Sequence, residues 1–314
     1  MTATVDVVVP VYGKWELTRS CLEHLQRQSL PCNIIVVDDA GPDDTVARLR
    51  AGYPEVTVVA LDRNRGFAGA CNAGIRAGSA DVVILVNNDV DAAPQLVARL
   101  ASAFDDARVG SACPLLLKPD GRVDAYGICA DPTMAGFVRY NGASVDQALS
   151  AHPSTRLLGP YGAVAAYRRS ALDEVGLLDE GIVMYGEELD LALRLSAAGW
   201  RSVLVPDAQG VHLGGATSGR GSASQRRMAG FGRGYLLRAY GVLRGRYGIR
   251  ALVTEAIVCV GDLVLSRDLA STTGRLAGWR AGAVSFRRPR HVPGVDRAIG
   301  FLDSLRLRVG DRRA

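Results

Sequence analysis

Short apolar runs alternate with stretches of helical periodicity along the N-terminal part of the chain. Residues 6–11 form the first apolar run and contain Pro10. Over 15–28, Leu17, Cys21, Leu22 and Leu25 recur at helical spacing, with Pro31 beyond the end. A second strand is expected over 33–37, ending in Asp38 and Asp39. The turn Gly41-Pro42-Asp43-Asp44 then offers Asp43 or Asp44 as the cap of a helix through Arg50. Residues 56–61 read as a third strand, and 66–78, rich in small residues, as a helix that packs close to its neighbours. Val82-Val83-Ile84-Leu85-Val86 suits a strand buried on both faces, and Asn87-Asn88-Asp89 forms its polar tip. Pro94 fits the first turn of a helix over 94–104. This alternation predicts right-handed crossovers and a doubly wound parallel sheet, an α/β fold with helices flanking a central sheet.

Beyond the sheet-forming segments the pattern weakens. Residues 121–156 are broken by Gly, Pro, Asp and Ser and read as a long, partly structured loop region of the kind that carries selectivity. A strand over 162–167, a segment over 168–175, a helix from Glu187 to Gly199 and a strand over 200–206 follow. On that last helix Glu187, Asp190 and Arg194 share a face, where Arg194 is expected to neutralise both acids. Glu188 lies instead along Leu191, Ala192 and Leu195, the face expected to pack inward. A carboxylate there suits a general base, although acids in a first turn also simply favour the helix dipole. His212 comes just after the strand, in a glycine-rich loop.

Composition narrows the class. With 314 residues, 48% of them hydrophobic and 22% charged, the chain has the make-up of a globular protein of one large or two modest domains. Its apolar runs fall short of a membrane span, and residues 1–6 lack the basic and apolar regions of a signal peptide. The six cysteines form no CxxC pair and read as buried thiols in a reducing cytosol. The net charge of +5 hides an asymmetry: residues 220–314 carry 19 Arg against 6 acidic residues. A basic C-terminal region on an acidic body fits an anionic surface, or equally a solvated basic face. No recognition motif for nucleic acid accompanies it, so nucleic acid is not an expected partner.

The first strand–turn–helix contains Gly13 but no GxGxxG, which disfavours a dinucleotide-binding oxidoreductase, and no P-loop is present. Carboxylates gather instead at strand ends: Asp38 and Asp39, then Asp89. They would repel a nucleotide's phosphates unless a divalent cation intervened. The economical solution is a nucleotide whose base or ribose donates to Asp38 or Asp39 while its phosphates reach Asp89 through a metal. His212 could complete such a Mg2+ or Mn2+ site.

Together these segments resemble glycosyltransferase family 2, the inverting nucleotide-sugar enzymes with the GT-A fold. Val8-Val9-Pro10-Val11-Tyr12 is similar to that family's opening strand, and Val36-Val37-Asp38-Asp39-Ala40-Gly41-Pro42-Asp43 to its base-binding turn. The segment from Asn64 and Arg65 through Gly66-Phe67 to Asn72-Ala73-Gly74 resembles NxGFxxxxNxG, and Asn87-Asn88-Asp89 falls at the metal-binding DxD. Asp179-Glu180 through Glu187-Glu188-Leu189-Asp190-Leu191 resembles the stretch carrying the catalytic base, and 211–218 the loop bearing a metal-contacting His. The motifs span residues 5–218 in the family's order.

The resemblance implies a donor site lined by Pro10, Tyr12, Asp38, Asp39, Asn64, Arg65, Gly66, Asn72, Asn87 and Asn88. It implies Asp89 and His212 as ligands of Mg2+ or Mn2+, and Glu188, with Glu187 as the alternative, as the base that deprotonates an acceptor hydroxyl. The chain departs from the family pattern in three places: Asn87 stands at the first DxD position, Glu at the base position usually held by Asp, and Ile182 and Val183 where aromatics are usual. Within the family it looks most like the bacterial branch transferring rhamnose or related sugars, from dTDP- or UDP-linked donors, in cell-wall, glycolipid or natural-product glycan assembly. The expected organisation is a catalytic domain over 1–221, with its nucleotide-sugar half over 1–118 and its acceptor half over 119–221, followed by a basic helical region over 222–314. Arginine, aromatic and aliphatic residues interleave in that region, so it reads as a peripheral contact with the inner face of a membrane, where a lipid-linked acceptor would be met, or as a homodimer interface. A processive polysaccharide synthase is disfavoured by the missing spans and missing QxxRW motif. A non-catalytic nucleotide-sugar-binding partner subunit is the remaining alternative.

Overall fold

The computed structural model describes residues 4–150, 155–182, 184–214, 222–283, 288–289 and 291–313. In chain order its elements are Val5–Val11 (β1), Trp15–Gln26 (α1), Asn33–Asp38 (β2), Thr45–Gly52 (α2), Thr57–Ala60 (β3), Gly66–Ala77 (α3), Val82–Val86 (β4), Val90–Ala92 (β5) and Leu96–Ser102 (α4). Next come Val109–Leu117 (β6), Val123–Ala125 (β7), Ile128–Ala130 (β8), Gly136–Val138 (β9), Val145–Leu149 (α5), Val164–Arg168 (β10), Arg169–Val175 (α6), Glu187–Ala197 (α7) and Arg201–His212 (β11). Four helices close the chain: Ala223–Ala239 (α8), Gly248–Ser266 (α9), Ala270–Ala281 (α10) and Phe301–Arg313 (α11).

The main sheet runs β3-β2-β1-β4-β10-β6-β11-β5, with β7 on β6. Strands β1 to β4 are parallel, as their buried Val/Ile runs predict. The sheet is not parallel throughout: β10 runs antiparallel to both β4 and β6, and β5 antiparallel to β11. An apolar run fixes burial but not strand direction, and β10 enters from the 121–156 region without a crossover helix. That region is also more ordered than its composition suggests, holding β7, β8, β9 and α5, the last closed by a Ser144–Gln147 capping box. The expected strand over 200–206 extends to His212, past irregularities in its pairing with β6.

One core lies under the face covered by α1 and α4, with Val7, Val9, Leu22, Ile84 and Leu100. A second lies under α3, α6 and α7, with Val8, Val37, Cys71, Leu85, Leu172 and Leu191. Asp6 is a buried charge within β1, held by Arg169 (2.8 Å), the Asn33 amide (3.0 Å) and the Ala80 N–H (2.8 Å). The six cysteines are free thiols, Cys21, Cys71, Cys113 and Cys129 buried as expected, but Cys32 and Cys259 only half-buried.

The C-terminal helices share a third apolar cluster with the body: Ile182, Leu189 and Leu193 pack against Tyr235, Leu236 and Tyr240. Helices α8 and α10 meet at backbone distance. A Cβ on Gly278 would stand 1.9 Å from the Phe231 carbonyl oxygen, and one on Gly234 2.0 Å from that of Arg275. Glu255 of α9 is buried, with Arg233, Arg275 and Arg308 at 2.8, 2.8 and 3.0 Å. Arg233 also donates to the Thr133 and Met134 carbonyls, tying the C-terminal helices to the loop between β8 and β9. Among the described residues, no helix is long and apolar enough to cross a membrane.

Candidate active site

The site forms at the carboxyl ends of β1, β2 and β4, where open α/β sheets place ligands. Asp89 occupies the turn between β4 and β5. Its carbonyl accepts from the Leu213 N–H at 2.9 Å, and His212 pairs in register with Val90. Those backbone contacts bring His212 Nε2 to 3.3 Å from Asp89 Oδ1. On its other side, His212 Nδ1 lies 2.7 Å from Asp124 Oδ2, on β7. All three side chains are buried. Burial alone would lower the imidazole pKa. The hydrogen bonds to Asp124 and Asp89 and the charges of both more than offset that, pushing it up to about 9.

Asp124 was not singled out from the sequence. It is a lone acid in the Gly- and Pro-broken 121–156 region, and only the pairing of β7 with β6 carries it to the histidine. Residues 215–218 of the His212 loop, and Val183, lie outside the described residues.

The fit to a divalent cation rests on this donor set. One carboxylate and one imidazole nitrogen stand side by side, and the second imidazole nitrogen is engaged by another carboxylate, the arrangement that orients metal-ligating histidines. Two protein ligands leave positions for phosphate oxygens, which suits Mg2+ or Mn2+. Among the described residues no group of three or more His, Cys, Asp or Glu is placed to hold a metal ion.

Helix α7 supplies the carboxylate pair. It begins after two consecutive residues of positive φ, Tyr185 (66°) and Gly186 (122°), and the Gly186 N–H donates to Glu188 Oε2 at 3.3 Å. Glu188 is half-buried, and a Cβ on Gly162 would stand 3.9 Å from its Cδ and 4.0 Å from the Phe67 ring. Glu187 is buried and its Oε2 has no hydrogen-bond partner. Burial, then the charge of Glu188, drives its pKa well above the usual carboxylate range; burial raises that of Glu188 too. The expected neutralisation of Glu187 by Arg194 does not occur. Arg194 pairs with Asp190 at 2.8 Å and gives its other donors to the carbonyls of Val175, Gly176 and Leu177.

Tyr161 links the two groups of acids. Its ring stands edge-on to His212 at 6.3 Å. Its phenol pKa is raised by burial first, then by the charges of Asp124, Glu188, Tyr185 and Asp89. Gly162, which follows Tyr161, faces Glu188, so adjacent residues lie against His212 and Glu188, both far in sequence from Asp89.

On the nucleotide side, Asp38 Oδ2 accepts from the Gly41 N–H (3.1 Å) and Asp39 Oδ1 from the Arg65 N–H (2.6 Å). Burial raises both carboxyl pKa values against these bonds. Asn64 accepts from the Gly66 N–H at 3.0 Å at the start of α3. Asn64 and Arg65 are exposed, Tyr12 is exposed at the end of β1, and Pro10 is half-buried. A Cβ on Gly41 would stand 2.6 Å from the Gly13 nitrogen, so the turns after β1 and β2 pack backbone to backbone.

The side-chain amides of two other predicted donor-site residues, Asn88 and Asn72, are engaged within the protein. The Asn88 amide donates to Thr18 Oγ1 of α1 at 3.0 Å, in the core. Asn72 is buried and bonds the Leu178 carbonyl (2.9 Å), the Leu178 N–H (3.1 Å) and Glu180 (2.9 Å), holding α3 to the segment before α7. Asn87 is half-buried, and its N–H donates to the Ala163 carbonyl at 2.9 Å.

Comparison with known proteins bears on the family and the fold. The chain matches the family model described as glycosyl transferase family 2 over residues 6–176, and that of glycosyl transferase family group 2 over 95–274. It is 32% identical over 247 residues to an N-acetylglucosaminyl-diphospho-decaprenol L-rhamnosyltransferase of Mycobacterium tuberculosis, covering 71% of this chain and 80% of that one. The fold is similar to a mannosyltransferase from Pyrobaculum calidifontis in complex with GDP-Man and Mn2+, at TM-score 0.53 and 20% identity, covering 100% of this chain and 81% of that one. It is also similar to GalNAc-T7 with UDP, GalNAc and Mn2+, at TM-score 0.57 and 17% identity, covering 76% of this chain and 50% of that one. The mostly parallel sheet flanked by helices is thus a GT-A-like fold carrying the C-terminal helices α8 to α11. The chain belongs to glycosyltransferase family 2.

Proposed function

We propose that this chain is an inverting glycosyltransferase that moves a sugar from a nucleoside-diphosphate sugar to an acceptor hydroxyl. The observation that carries this reading is that His212, held between Asp89 and Asp124, stands against the Tyr161 ring, while Glu188 lies beside Gly162, the next residue along the chain. Residues 1–221 act as the catalytic unit, and 222–314 as a basic helical region packed against its acceptor half. The likeness to the mycobacterial enzyme supports L-rhamnose as the donor sugar, a diphospho-polyprenol-linked acceptor and a place in bacterial cell-wall assembly.

Asp38 and Asp39 accept from the nucleoside, and exposed Arg65 lies beside them. Asp89 and His212 would hold a Mg2+ or Mn2+ ion, and Asp124 keeps the imidazole turned so that Nε2 faces it. Such an ion, when bound, neutralises charge on the departing diphosphate. Glu188 removes the acceptor's proton as the hydroxyl oxygen attacks the anomeric carbon opposite the leaving group. One displacement, without a covalent sugar–enzyme intermediate, inverts the anomeric centre. Burial and the neighbouring Glu188 push the Glu187 carboxyl well above the usual range, which disfavours a second charge beside Glu188.

The direct test supplies dTDP-rhamnose and UDP-sugars, with Mg2+ or Mn2+, and an N-acetylglucosaminyl-diphospho-polyprenol acceptor. Acceptor-dependent release of nucleoside diphosphate, with inverted configuration at the new bond by NMR, is expected. Release without transfer for every donor, unchanged in Glu188→Gln, would sink the reading.

A further inference from the structure

Helix α9 is amphipathic in the reverse sense. Its acidic residues Glu255 and Asp262 are buried, with Ala251, Thr254 and Val258 on the same inward face, and the partly buried Arg250 pairs with Asp131. Its outward face carries Ile249, Leu252, Val253, Ile257, Val260 and Val264, all exposed, Ile249 at 81% and Val264 at 68%. These positions repeat at helical spacing and form one continuous apolar stripe along the 19-residue helix. Exposed single aliphatics are ordinary, but a whole helix face of them marks an interaction surface. With Arg250, Glu255 and Asp262 in it, the helix is not apolar enough to cross a bilayer.

The charges around the stripe indicate its occupant. Exposed arginines stand at both ends: Arg244 and Arg246 before the helix, Arg267 after it. At the N-terminal end a cavity of about 490 Å³ is lined by Arg238, Arg244, Arg246, Arg288, Arg297 and His291. Arg288 is paired with Asp179 and Asp190, and Arg238 stacks on Trp279. Arg244, Arg246 and Arg297 have no acidic partner among the described residues. Glu255, Asp262 and Asp296, by contrast, are buried. A second copy of this face would set like charges opposite one another, whereas phosphate headgroups would neutralise them.

We infer that α9 and the arginine cleft form a docking surface for a membrane containing anionic phospholipid. The helix lies in the interfacial plane with its aliphatic stripe among the acyl chains, and Arg244, Arg246 and Arg297 meet lipid phosphates. Because Arg233 and Glu255 tie these helices to the loop between β8 and β9, docking holds the acceptor half of the catalytic unit at the lipid surface. The surface itself does not depend on the transferase reading.

The test is co-sedimentation of the full chain with phosphatidylcholine vesicles, with and without phosphatidylglycerol. The wild-type chain should bind the anionic vesicles, and salt should weaken that binding. A Leu252→Ser/Val260→Ser/Val264→Ser variant should lose on the order of tenfold or more in partitioning, since each aliphatic side chain kept out of lipid forfeits most of its transfer gain. An Arg244→Glu/Arg246→Glu variant should lose the preference for phosphatidylglycerol. Both variants should keep the wild-type melting temperature and nucleoside-diphosphate binding, which separates loss of docking from failure of the catalytic site. Equal vesicle binding by the serine variant overturns the proposal. So does a wild-type dimer in light scattering that the serine variant converts to monomer, with no vesicle binding by either.

Discussion

Asp124 Oδ2 lies 2.7 Å from His212 Nδ1, while His212 Nε2 turns to Asp89 at 3.3 Å. The first contact engages Nδ1 and leaves Nε2 towards Asp89, which on the proposed reading makes Asp124 a positioning residue for His212. Asp124→Asn should weaken Mn2+-dependent binding of nucleoside diphosphate by about 10- to 100-fold, the usual cost of losing an orienting carboxylate. Titration calorimetry with and without Mn2+ measures this. If the metal-dependent part of the affinity is unchanged, Asp124 has only a structural part.

Glu188→Gln should lower transfer by on the order of 10²- to 10⁴-fold with nucleotide binding intact, because it keeps the shape and removes the proton acceptor. The Gly186 N–H can still donate to the amide oxygen, so the start of α7 should hold. Single-turnover assays with saturating donor report the chemical step. Near-normal turnover would move the base to another residue.

Glu187 has the opposite character. Its carboxyl is buried with one oxygen unpartnered, and its folded-state pKa is raised above the unfolded value of about 4.3. A raised pKa contributes stability that is full below the unfolded value and lost as pH climbs through the folded one. Glu187→Gln, which cannot ionise, should match the wild-type melting temperature near pH 4 to 5 and exceed it progressively towards alkaline pH. A constant difference across that range would mean that Glu187 is not held neutral.

The sequence carried much of this site, and its gaps have physical causes. Asp89, His212 and Glu188 stand at strand ends and a helix start, where residue type and position together point to chemistry. Asn88 and Asn72 have the same residue chemistry, yet their amides are bonded to Thr18 and to Leu178 and Glu180. One-dimensional spacing does not say which way an amide turns. The antiparallel β10 was hidden because Val164-Ala165-Ala166-Tyr167 reads the same in either direction. Helix α9 shows the limit most clearly: its acidic face is the inward one, since Arg233, Arg275 and Arg308 arrive from other segments to meet Glu255.

Gly232 of α8 abuts the turn that launches α7. A Cβ there would stand 1.8 Å from the Tyr185 carbonyl oxygen, so Gly232→Ala must displace α8 or the Tyr185–Gly186 turn. Tyr185 already has φ of 66°, a conformation costly for a non-glycine residue, and has little freedom to yield. The variant should lose roughly 1–3 kcal/mol of stability, as overpacked sites do, and transfer should fall further than that loss accounts for. Urea denaturation beside an activity assay separates the two. Full activity in a destabilised variant would uncouple the C-terminal helices from the Glu187–Glu188 pair.

Glu255 is the anion on which three arginines converge, and those arginines hold its folded-state pKa well below the ordinary value although burial alone would raise it. Glu255→Gln keeps the volume and some hydrogen bonding but leaves Arg233, Arg275 and Arg308 facing one another without a counter-charge. Breaking a buried pair in this way costs about 3–5 kcal/mol, enough to abolish much of a domain's stability. A depressed pKa contributes stability that is present above the unfolded value of about 4.3 and lost as pH falls through the folded one. The gap between wild type and Glu255→Gln in urea denaturation should therefore be level from pH 7 down to about 5, then close as the medium becomes more acidic. Because Arg233 bonds the Thr133 and Met134 carbonyls as well, the variant should also loosen the loop between β8 and β9, with faster amide exchange there than in β1 or β4. Unchanged exchange in that loop would show that the arginine cluster holds the C-terminal helices together without coupling them to the acceptor half.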